Sequence, residues 1–74
     1  MTLYHFHLID PTGGRHEIKS LRLADLRAVW REIAALALSR VAAGSQIRVT
    51  NAAGGIVVLV GVSTARSLSI NLAA

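Results

Sequence analysis

No cysteine occurs anywhere in the 74 residues, which excludes disulfide bridges and thiolate metal sites. Acidic residues are nearly as scarce: Asp10, Glu17, Asp25 and Glu32 are the whole set, and charged residues of both signs make up only 16% of the chain. The aromatics are three, Tyr4, Phe6 and Trp30. All three fall at core positions, so no exposed ring is offered to a nucleic-acid base. No serine sits in a Gly-x-Ser-x-Gly elbow, and no Gly-x-x-x-x-Gly-Lys loop is present. Asp10 and Glu17 could approach across a hairpin, but they lack an apolar pocket to split their proton affinities. A chain this short also struggles to enclose a substrate cavity. No enzyme activity and no cofactor are therefore expected. The longest uninterrupted apolar run, Gly54 to Val62, is far short of the roughly 20 residues of a spanning helix. No basic region followed by an apolar stretch opens the sequence, so a cytoplasmic protein without membrane contact is expected.

What the chain has in abundance is apolar side chain, at 53% of residues. A domain this short buries only about 60% of the surface its unfolded chain exposes. Small domains usually add a disulfide, a metal or a partner subunit. With disulfides excluded, the surplus of apolar surface predicts self-association, a homodimer being the simplest form. Net charge is +4, and seven of the eight basic residues are arginine. Arginine suits planar contacts to phosphate or carboxylate, so a nucleic-acid partner is the alternative.

Along the chain, residues 3–9 alternate, with Tyr4, Phe6 and Leu8 on one face and Leu3, His5, His7 and Ile9 on the other. Such alternation marks a half-buried strand. Asp10-Pro11-Thr12-Gly13-Gly14 then makes a turn. A more polar strand follows over about residues 15–20, with Arg15, Glu17 and Lys19 on its solvent side. Asp25 is a good helix N-cap, and Leu26, Val29, Trp30, Ile33 and Ala37 recur at helical spacing. The pattern runs to about Ala43, where Gly44 is placed as a C-terminal cap. The second half of this helix is apolar almost all round, which predicts burial on more than one side. A third strand over residues 46–50 turns Ile47 and Val49 inward and Gln46, Arg48 and Thr50 outward. After the turn Asn51-Ala52-Ala53-Gly54-Gly55, residues 56–62 form a fourth strand, with Ile56, Val58, Val60 and Val62 on one face and Val57 and Leu59 on the other. A strand apolar on both faces should be covered on both. The expected fold class is α+β, a two-layer ββαββ domain over residues 1–62 with the helix on a short antiparallel sheet. The first strand is placed centrally, next to the last. In the tail, residues 63–74, Leu68, Ile70 and Leu72 alternate and could add an edge strand.

Tyr4-His5-Phe6-His7-Leu8, Ala24-Asp25-Leu26 entering a helix with Glu32, and Ile47-Arg48-Val49-Thr50-Asn51-Ala52-Ala53-Gly54 before a valine-rich strand together resemble the bacterial domain-of-unknown-function family 6894. The resemblance spans residues 3–62 and implies the ββαββ fold; it brings no known reaction, cofactor or partner. The sequence departs from the family where the family is acidic. Glu17-Ile18-Lys19-Ser20 replaces an Asp-x-x-Gly pattern, Asn51-Ala52 replaces Asp-Glu, and Gly61-Val62 stands where a Pro-aromatic pair is common.

Three candidate sites follow from the residues. The interface of a homodimer would use Leu36, Leu38, Val57, Leu59, Leu68 and Ile70. A nucleic-acid surface would use Arg27 and Arg31, one helical turn apart, with Arg48 from the sheet. A metal site would use His5 and His7, two apart on one strand face, joined by His16 across the hairpin. Hairpin register decides the last. If Leu8 pairs with Arg15 the three imidazoles converge; if Ile9 pairs with Arg15, His7 meets Glu17 and His16 points to the other side.

Overall fold

The computed structural model describes residues 1–39, 44–65 and 67. It is an α+β domain with the elements β1 (Thr2–Ile9), β2 (Arg15–Leu23), α1 (Leu26–Ser39), β3 (Gln46–Asn51) and β4 (Ile56–Gly61). The four strands form one sheet in the order β2-β1-β3-β4, every neighbouring pair antiparallel. The first strand is central, as expected. Its neighbours are β2 and β3, whereas the last strand lies at an edge. The helix links β2 to β3, which flank β1, so the chain crosses over one strand and leaves β4 to complete a second hairpin.

Both hairpin turns use one design. Asp10 Oδ1 accepts hydrogen bonds from the amides of Thr12 and Gly14 at 3.0 and 2.8 Å. Asn51 Oδ1 accepts from Ala53 and Gly55 at 3.0 and 2.9 Å. Short polar side chains that bond their own backbone two residues on are the usual initiators of such turns. In each, the fourth residue takes a left-handed conformation, φ +92° at Gly13 and +87° at Gly54, which a side chain would disfavour.

Asp25 caps α1 as expected, its Oδ1 accepting from the Ala28 amide at 2.9 Å. The helix is described to Ser39, and its expected end at residues 40–43 lies outside the described residues. Val29, Ile33, Leu36 and Ala37 form its buried stripe. Opposite them the sheet contributes Phe6, Ile47, Val49 and Val58 to the same core. Leu26, expected in the stripe, is instead 48% exposed at the helix start. The described part of the tail is not a strand: residues 62–65 turn as helix. This turn brings Val62 and Ala65 into the core, and the Val62 amide donates to the Ser45 carbonyl at 2.9 Å. Leu68, Ile70 and Leu72 lie outside the described residues.

Two bulges reset which side chains face the helix. Lys19 pairs with Phe6 and Glu17 with His7, so Ile18 is an extra residue in β2. Likewise Val49 pairs with Val58 and Thr50 with Ile56, so Val57 is extra in β4. An extra residue shifts strand parity beyond it. Lys19 therefore does not share the solvent side with Arg15 and Glu17. It turns toward α1, where its Nζ donates to Glu32 Oε1. Val57 packs against the core, and Ile56 moves to the face away from the helix.

Candidate functional site

Among the described residues, helix covers only the Phe6 side of the sheet. The other face is built in cross-strand rows. Ser20, His5, Thr50 and Ile56 form one row, Glu17, His7, Arg48 and Leu59 the next, and Arg15, Ile9 and Gln46 the third. The first two rows grade from charged and polar at the β2 end to apolar at the β4 end. Ile56 is 59% exposed and Leu59 52%, and both lie at that apolar end.

The polar end is tied together. His5 Nδ1 lies 3.0 Å from Glu17 Oε1 and 2.8 Å from Ser20 Oγ, and Ser20 Oγ donates to the same carboxylate oxygen at 3.2 Å. Serine, histidine and glutamate are thus in contact, yet one ring nitrogen serves both partners. A catalytic relay needs the two nitrogens divided, one on the acid and one on the nucleophile. The arrangement instead fixes the β1–β2 register on this face. His7 Nε2 lies 3.4 Å from Thr50 Oγ1, which links β1 to β3. Beside it, Arg48 Nε is buried without a hydrogen-bond partner among the described residues.

The remaining candidates are dispersed. Ile9 pairs with Arg15, so His16 sits opposite Leu8 on the helix side of the sheet. There its Nε2 lies 3.4 Å from Asp10 Oδ2. His5, His7 and His16 therefore do not converge, and no group of three or more metal-ligating side chains occurs among the described residues. Asp10 and Glu17, too, hold different partners. Arg27 and Arg31 are exposed on α1, whereas Arg48 lies on the opposite face of the domain, so the three arginines do not form one surface. Of the expected interface residues, Leu36 is 6% exposed and belongs to the chain's own core. Val57 also packs inward. Leu38 is 55% exposed but lies on the helix layer, across the domain from Leu59. Leu68 and Ile70 are outside the described residues. Leu59 remains, joined by Ile56, which strict alternation places on the opposite face of the strand from Leu59. The uniform apolar run of β4 carries no mark of the bulge that moves it.

No helix among the described residues is long and apolar enough to cross a membrane. Nothing matches the chain among family models, curated proteins or solved structures.

Proposed function

We propose that this chain is a small non-catalytic interaction module that pairs with a second copy of itself, the contact centred on Ile56 and Leu59. The observation that supports it is the apolar end of the uncovered sheet face, where two large aliphatic side chains stand more than half exposed on adjacent rows. Single exposed aliphatics are ordinary, but neighbouring ones on a face that no second layer covers among the described residues point to a partner. Membership of the bacterial domain-of-unknown-function family 6894, proposed on the stretches at residues 4–8 and 47–54, fits this reading. It adds a bacterial, cytoplasmic setting to the proposal and no reaction.

Light scattering across micromolar concentrations tests it. The expected result is a dimer, converted to a monomer by Leu59→Asp, because burying an unpaired carboxylate costs several kcal/mol. That corresponds to at least about a hundredfold weaker association. Since Leu59 is half exposed in the single chain, the variant should keep its circular dichroism spectrum. A wild-type protein that is monomeric throughout the range overturns the reading.

A further inference from the structure

The two edges of the sheet are built differently. The β2 edge carries Arg15, His16, Glu17, Lys19 and Arg22 within nine residues. The β4 edge reads Ile56-Val57-Val58-Leu59-Val60-Gly61, without a charge or a proline. An edge strand presents unpaired backbone amides and carbonyls, and proteins commonly guard it with charged side chains, proline or a bulge. Here β2 has charge and a bulge. On β4 the only such device is the bulge at Val57, which leaves Val58–Gly61 as a regular, uncharged segment that pairs with β3 alone among the described residues.

We infer that β4 is a docking edge whose occupant is β4 of a second copy, joining two four-stranded sheets into one of eight strands. This rests on the self-association reading and specifies its geometry. A two-fold axis normal to the sheet makes the two strands antiparallel, so that residue i of one copy faces residue j of the other and j faces i, and only a residue on the axis meets its own copy. At the β2 edge the same operation would set two strands of net positive charge side by side, whereas β4 carries no charge to oppose. Cross-strand neighbours share a face, so centring the pair on Leu59 places it beside Leu59 of the second copy on the uncovered face. Val58 then lies across from Val60 on the helix side. The pairing satisfies the outward backbone groups of both strands and shelters the Leu59 side chain at its centre. A foreign strand would find no charge on β4 by which to be selected, and an identical strand needs none.

Nuclear magnetic resonance on a dimer mixed from isotope-labelled and unlabelled protein separates the outcomes. The expected result is intermolecular contacts between α-protons of Val58–Val60. Alternate β4 amides should also exchange at least about tenfold more slowly at concentrations above the dissociation constant than below it. A dimer whose intermolecular contacts join only side chains such as Leu3, Ile9 and Leu59, with β4 amides unprotected, overturns edge pairing but keeps self-association. A chain that stays monomeric at every concentration overturns both, and capture of an unrelated strand at β4 without self-pairing overturns the choice of occupant.

Discussion

Asp10 and Asn51 occupy equivalent places in two similar turns, yet only one of them can titrate. Asp10 accepts the Thr12 hydroxyl at 2.7 Å besides two backbone amides. The Thr12 hydroxyl, followed by the Gly14 amide, holds its carboxyl below the ordinary value of 3.8. A carboxyl with a lowered folded-state pKa contributes stability above its unfolded pKa, and that contribution is lost as pH falls through the folded value. The first turn should therefore weaken in acid while the second does not. In Asp10→Asn the side-chain oxygen still accepts the amides but carries no charge to lose. Its melting temperature should fall less steeply below the carboxylate range than that of the wild type, measured at fixed protein concentration. Parallel acid profiles for the two proteins would show that this turn does not contribute to the pH dependence.

At the scale of elements, each was legible where its pattern had a chemical marker. The N-terminus of α1 was visible because Asp25 precedes a run at helical spacing, and the cap is formed. Asp25→Ala should lower stability by about 1 kcal/mol. For a domain of this size that is about 4–8 °C in melting temperature, read by circular dichroism; an unchanged value would mean that water replaces the cap at no cost. The bulges were less visible. In β2 the apolar residues Ile18, Leu21 and Leu23 change parity between the first two, which is a trace of an inserted residue. In β4 every position from 56 to 60 is aliphatic, so no polar residue marks the inserted one. This is why the helix and the strands could be read from the sequence while the membership of the uncovered face could not. One extra residue at Val57 exchanges Ile56 for Val57 on that face, and pairing geometry alone decides it. The histidine site was a matter of register in the same way. Both registers suit the composition of the hairpin, and the observed one separates His16 from His5 and His7.

The whole molecule measures 33 × 29 × 16 Å, and its thinnest dimension is that of one helix layered on one sheet. With two layers the core is a single sandwich filling, from Phe6, Ile47 and Val49 below to Val29, Ile33 and Ala37 above. A chain of this length has a stability of only about 4–11 kcal/mol at the usual value per residue. Association should then add visibly to the total. If folding and dimerisation are coupled, each tenfold rise in concentration stabilises the dimer by about 1.4 kcal/mol, and the melting temperature climbs by a few degrees per decade. In Leu59→Asp, half exposed in the single chain, the same series should be flat, and it should meet the wild-type curve at high dilution where both are monomers. Calorimetry over three decades of concentration tests this directly. A wild-type melting temperature indifferent to concentration would mean that the two-layer core is sufficient by itself and that the exposed β4 aliphatics contribute nothing to stability.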